Sequence, residues 1–366
     1  MLSGCAHGGN PSSPEGSSDA TWVSWQREMA AQNHSDPLAS CQGIDESSLR
    51  LGHPAGMDQK RQVIESLLRD AKPYTLLARG EGSGHLVSLP WEGNESTNCT
   101  EAMDRFLSHS YQQDLSLFRY GVEQRPAFFR RLHFYETLWR PNVMRVAGVT
   151  EVAKCLSARF EQMGCRGLLK FHTFEVRGED WRELIRSQII KNEKLTPETR
   201  KGAEALIGEK KLATLSAREQ GVFGSALERD WSGSSLELEA RVRVIQGALS
   251  QLDQSPVLVR LEVLSFSDWL LCPQWQKALV PYENRIFLVG LIHETQFAHK
   301  KREMVTHQGA LLFEKGEWFF LHASRQPVAG LPRGGLRKER FVDFLKRSQQ
   351  QIHPRLVGLD LLLLPE

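Results

Sequence analysis

A chain of 366 residues with 40% hydrophobic and 25% charged side chains has enough apolar material to bury a sizeable core. Lys and Arg number 46 against 44 Asp and Glu, so no global field draws the protein onto nucleic acid or an anionic bilayer, and no run approaches the roughly 18 apolar residues of a membrane span. The 6 cysteines are widely and irregularly spaced, with no Cys-x-x-Cys pair, which excludes a zinc ribbon or a dithiol motif and predicts mostly free thiols.

Residues 1–57 are rich in Gly, Ser, Pro, Asn and Asp, with only the Trp22–Trp25 patch able to pack, and predict a disordered segment. Within it, Leu2-Ser3-Gly4-Cys5 resembles the lipobox of bacterial lipoproteins. In that family a signal peptidase cuts before the cysteine, whose thiol then carries a lipid. The resemblance implies lipidation at Cys5, a place in the bacterial cell envelope, and a tether in the Gly/Ser/Pro-rich Ala6–Gly16. The match departs from the family in lacking a basic region and apolar core ahead of Leu2. A cytoplasmic location is the alternative. The sequons at Asn33, Asn94 and Asn98 lie in Ser/Thr-rich stretches and are expected to be chance matches.

Further along, Val63, Leu67 and Leu68 give one face to a helix over 58–70. Short strands are expected at 74–78 and 85–89 around the loop Gly80-Glu81-Gly82-Ser83-Gly84. That loop is neither a phosphate loop nor a nucleophile elbow, for want of a following Gly-Lys-Ser/Thr or of Gly-x-Ser-x-Gly spacing. A helix is expected over 101–118. Thr150 caps another, with Val152, Leu156, Phe160 and Met163 on its face and Gly164 at its stop. A strand over 167–177, a helix through Trp181 and Ile185, a helix started by Thr196-Pro197 and a capping box at Ser216–Glu219 follow.

From Leu236 to Val244 apolar residues alternate with Glu237, Glu239, Arg241 and Arg243, which predicts a strand with one charged face; Leu238, Val242, Ile245 and Leu249 at helical spacing compete. Strands are expected at 257–266 and 285–297. A hairpin joins 304–313 to 318–323 about Lys315-Gly316. A last helix is expected over 336–350, and 356–364 reads as a final buried strand.

His293-Glu294 with His299 fails as a zinc-protease motif, because position 297 is Phe; on a strand the two histidines stand about 20 Å apart, too far to share an ion. His307 and His322 are better placed. A two-residue turn at Lys315-Gly316 pairs His322 with Gly309 and sets it diagonal to His307, beside Trp318 and Phe320; these four are the pocket candidates. A three-residue loop would move His322 opposite Gln308. Residues 118–145 interleave arginines with aromatics, among them Arg130, Arg131, Phe134 and Trp139. Guanidinium groups that grip phosphates and rings that stack on bases make this the one local nucleic-acid signature, against a buried aromatic layer that the balanced charge favours.

Together these elements predict an α+β fold: helices followed by a curved antiparallel sheet, in a tether (1–57), a mixed domain (58–178) and a second domain with the C-terminal helix (179–366). Over 179–325 the element order, closing on Gly316-Glu317-Trp318-Phe319-Phe320-Leu321-His322, resembles the nuclear-transport-factor-like (cystatin-like) roll, which implies a conical pocket. The sequence reading is an envelope-anchored protein that binds a small ligand or a protein partner, without an intact catalytic motif, metal or cofactor. The alternatives are an enzyme with a histidine-containing pocket in the roll and a cytoplasmic binder of single-stranded nucleic acid.

Overall fold

The computed structural model describes residues 56–75, 97–113, 135–165, 169–189, 195–207, 237–297, 300–328, 330–351 and 354–365. The tether with Cys5, the loop at 80–84, the helix opened at Ser216, His299, and the nucleic-acid candidates Arg130, Arg131 and Phe134 lie outside these residues. In chain order the elements are α1 (Met57–Arg69), α2 (Cys99–Tyr111), a π-helical turn (Tyr135–Trp139) running into α3 (Arg140–Ala147), β1 (Thr150–Glu151), α4 (Ala153–Gln162), β2 (Leu169–Val176), α5 (Gly178–Ile189), α6 (Pro197–Ile207), α7 (Leu238–Gln254), β3 (Val257–Ser265), α8 (Phe266–Leu271), α9 (Trp275–Leu279), β4 (Ile286–Phe297), β5 (Lys300–Glu314), β6 (Glu317–Ser324), β7 (Gly335–Arg340), α10 (Phe341–Gln349) and β8 (Arg355–Leu363).

The fold is α+β. One open, 8-stranded antiparallel sheet runs in the order β2-β3-β8-β4-β5-β6-β7, with β1 also on β8. Sequence explains the centre. Ile286–Ile292 and Leu359–Leu364 are near-continuous apolar runs, and a strand apolar on both faces needs cover on both. The last strand in the sequence, β8, therefore sits between β3 and β4. On one face Phe287, Val289, Leu291, Leu311 and Phe320 meet Phe160 of α4, Trp269 of α8, Trp275 of α9 and Phe341 of α10. On the other, the π-helical turn approaches so closely that a Cβ on Gly290 would lie 2.8 Å from the Tyr135 ring. The Tyr135 hydroxyl and Arg140 Nε both donate to the buried Asp360 carboxylate, at 2.9 and 2.8 Å. Burial raises the Asp360 pKa, while the Arg140 charge opposes that rise.

Three expectations are corrected. Residues 238–254 form helix α7, not a strand from Leu236. The helical spacing wins because Val242, Ile245, Leu249 and Leu252 all reach the core, and Arg241 is buried against Glu198 rather than sharing an exposed charged face. The last helix is shorter than expected: Gly335–Arg340 is an edge strand paired with β6, and the helix starts at Phe341. Nor are the cysteines mostly thiols, since Cys165 is bonded to Cys272 and Cys155 is also disulfide-bonded. A separation of 107 residues disguised the first pair, which meets because the ends of α4 and α8 pack together. The sheet also draws on both sides of residue 178, as β2 pairs along its length with β3. No described helix is long and apolar enough to cross a membrane.

Candidate functional site

The hairpin fixes the site. Lys315 and Gly316 both have positive φ, 52° and 84°, as a two-residue type I′ turn requires. That turn sets Phe313 opposite Trp318 and Gly309 opposite His322. His307 and His322 then face each other diagonally on the α10 side of the sheet, and their rings meet: His307 Nε2 lies 2.7 Å from His322 Nδ1. His322 Nε2 lies 2.8 Å from Glu339 Oε1 on β7. Arg347 of α10 and Arg337 of β7 flank the same carboxylate through Oε2.

The protons follow from this geometry. Burial pushes the Glu339 pKa up, but hydrogen bonds from His322 and Arg347 outweigh it and hold the group at about 2. A carboxylate accepts, so His322 Nε2 carries the hydrogen and its Nδ1 is the lone pair. His307 Nε2–H therefore donates to His322, which leaves the lone pair of His307 on Nδ1, with no hydrogen-bond partner among the described residues. Burial lowers the His322 pKa against the pull of Glu339. It also lowers that of His307 well below 6.5, with further repulsion from His322 and His293. Both rings are thus neutral at pH 7, and His307 presents an unprotonated nitrogen.

A small cavity of about 170 Å³ opens on this relay, lined by His293, His307, His322, Ser324, Phe344 and Arg347. Of the sequence candidates, His307 and His322 come together. Phe320 stacks on His322 with ring centroids 4.6 Å apart and supports it from within the core. Trp318 does not line the cavity: it is 4% exposed and packs on Phe313 near the turn. Trp139 is 1% exposed and its indole N–H donates to Asp104, so it offers no base-stacking face. His293 accepts from the Thr306 hydroxyl or donates to it at 2.8 Å; among the described residues there is no group of three or more His, Cys, Asp or Glu side chains that could hold a metal ion.

One residue of the site escaped the sequence reading: Glu339 was hidden because its segment was expected to be helical. Cys99, away from this cavity, retains its thiol and stands at the first position of α2, behind the N-cap Asn98, whose side chain accepts from Glu101 N at 2.9 Å. The signal was there: Asn98 with Glu101 three residues on is a helix-start pattern. The same bond, and only 7% exposure, make Asn98 unsuited to carry a glycan. α2 packs on β5, where Gln308 donates through Nε2 to the hydroxyl of Thr100, on the face of the sheet opposite to His307.

No family model matches the chain, and no curated protein is similar to it in sequence. One solved structure is similar over almost the full length. It is the crystal structure of protein LPG0564 from Legionella pneumophila str. Philadelphia 1, described by family-model DUF1460, with 14% identity, a TM-score of 0.53, and coverage of 95% of this chain and 96% of that one. At that identity the likeness shows a shared fold alone.

Proposed function

We propose that the protein is a hydrolase acting on acyl compounds in the bacterial cell envelope, with His307 as its general base. The carrying observation is the relay Glu339–His322–His307, which ends in an unprotonated Nδ1 at a cavity. Proton transfer uses such an arrangement; ligand binding alone does not need it, so the enzyme reading takes precedence over a non-catalytic binder. Glu339 fixes the His322 tautomer, and His322 in turn fixes and supports His307.

The nucleophile we assign is a water at His307 Nδ1, in the cavity on which the relay opens. Cys99 is not that group: Gln308 reaches α2 from the face of β5 opposite to His307, so the sheet stands between the thiol and the relay. His307 Nδ1 would take a proton from the water while its oxygen adds to the acyl carbonyl. Collapse of the adduct expels the amine or alcohol, which takes that proton, and leaves the acid.

The envelope location is supported by the disulfides at Cys165–Cys272 and Cys155, since such bonds persist in oxidising compartments. The lipid anchor is proposed on Cys5.

The test is hydrolysis of p-nitrophenyl acetate by the full chain, with mass spectrometry of the quenched enzyme. We expect no acetyl adduct on the quenched enzyme and a fall of roughly 10²- to 10⁴-fold in kcat for His307→Ala. Glu339→Gln should lower kcat with little change in KM. Undiminished turnover by His307→Ala sinks the proposal, and an acetyl adduct on any side chain rules out direct attack by water.

A further inference from the structure

A larger cavity, about 490 Å³, lies beside the relay between β2, β8, α8 and α10. The two cavities share Ser348 of α10 as a wall, and Ile292 of the larger stands in β4 between Leu291 and His293 of the smaller. The two cavities therefore adjoin at Ser348, which puts the larger within reach of a chain whose reacting end sits at the relay.

The chemistry of its walls is specific. Val263, Leu270, Ile292 and Leu356 give an apolar interior. Leu271 stands at the rim, 80% exposed, the largest exposure among the described large apolar side chains. An aliphatic side chain left in water at the mouth of an apolar cavity gains by closing over an apolar ligand. Two cations line the far wall, Lys170 on β2 and Arg355 at the start of β8, and neither makes an ion pair or side-chain hydrogen bond among the described residues. The one acid in the lining, Glu303, is turned to His172 at 3.6 Å. The balance is a single net positive charge, which suits a monoanion such as a carboxylate better than a doubly charged phosphate.

The sheet supplies a ruler. Glu294 of β4 pairs with Arg355, and Leu291 of β4 pairs with His307. Three residues along the strand and two strand spacings across place the backbones of Arg355 and His307 about 14 Å apart.

From this we infer that the cavity selects the substrate: the acyl chain cleaved at His307 is aliphatic and ends in a carboxylate held between Lys170 and Arg355. The inference rests on the catalytic reading of His307 given above, and it adds the substrate class.

Three esters separate the two. p-Nitrophenyl acetate reports the relay alone, p-nitrophenyl decanoate adds an aliphatic chain, and mono-p-nitrophenyl sebacate adds the same chain with a terminal carboxylate. For the full-length protein we expect kcat/KM for the sebacate half-ester to exceed that for the decanoate by about tenfold or more, as a charge-assisted contact gives. In Lys170→Ala/Arg355→Ala that preference should vanish while acetate hydrolysis is unchanged. No preference in the wild type, or a preference that survives in the double variant, overturns the inference while leaving His307 in place. Hydrolysis of none of the three overturns the catalytic reading and the substrate role together. Calorimetry with monomethyl sebacate then decides the cavity itself: binding lost in the double variant keeps it as a carboxylate site, and absence of binding removes it.

Discussion

His293 is held neutral by its surroundings. Burial lowers its pKa to about 4, against a hydrogen bond to Leu291 O that favours the charged form. Unfolded, the same ring titrates near 6.5, so between these values the unfolded chain binds more protons than the fold does. Stability from this residue is therefore complete above pH 6.5 and declines as pH falls toward about 4, by roughly 3 kcal/mol at most. His307 and His322 are shifted the same way and steepen the decline. Glu339 adds to it lower down: held at about 2, its contribution is present above the usual carboxylate range and is lost as pH falls through about 2. Urea unfolding should show a lower midpoint at pH 4.5 than at pH 7.5, and His293→Gln should narrow the gap. An equal gap in the variant assigns the pH dependence elsewhere. None of this was visible in the residue order. His293 looked like a failed metal ligand, and its real partner, Thr306, stands where β5 departs from regular pairing with β4.

Elements were legible where a local signal matched the tertiary demand. The turn at Lys315-Gly316 fixed the register of β5 on β6, and with it the meeting of His307 with His322, because a two-residue loop leaves no freedom to slip. The apolar run of β8 announced a buried strand, but not its place between β3 and β4, which depends on partners far away in the chain. Over 238–244 two periods coincided, and only burial of Ile245 and Leu249 decided between them. Glu339 went unseen for the related reason that β7 is a short edge strand directly followed by a helix. The close contact of the π-helical turn on β4 is testable at this scale. Gly290→Ala places a methyl against Tyr135 Cζ and Oη, each 2.8 Å from the new Cβ, with the ring fixed by its bond to Asp360. The expected cost is about 1–3 kcal/mol in a denaturant melt. Adding Tyr135→Leu should recover part of the steric component, and additive losses in the double variant would show that the ring is not the obstacle.

For the whole molecule, the disulfide at Cys165–Cys272 ties the segment that follows α4 to the end of α8 across 107 residues of chain, with β2, α5, α6, α7 and β3 in between. Closing so long a loop removes much of the freedom of the unfolded chain, worth about 4–5 kcal/mol if the native geometry is unstrained. Reduction, or Cys165→Ala/Cys272→Ala, should therefore lower the guanidinium midpoint without dispersing the apolar cluster of Phe160, Trp269 and Trp275 that brings the two ends together. The same bond bears on where the protein works. Non-reducing peptide mapping of protein taken from its native host should find Cys165 joined to Cys272, and the N-terminal peptide should carry a lipid on Cys5. Both cysteines recovered as thiols, from cells alkylated before lysis, would place the folded chain in a reducing compartment and remove the envelope from the proposal. The relay of Glu339, His322 and His307 would be untouched by that result, since none of its contacts involves a cysteine.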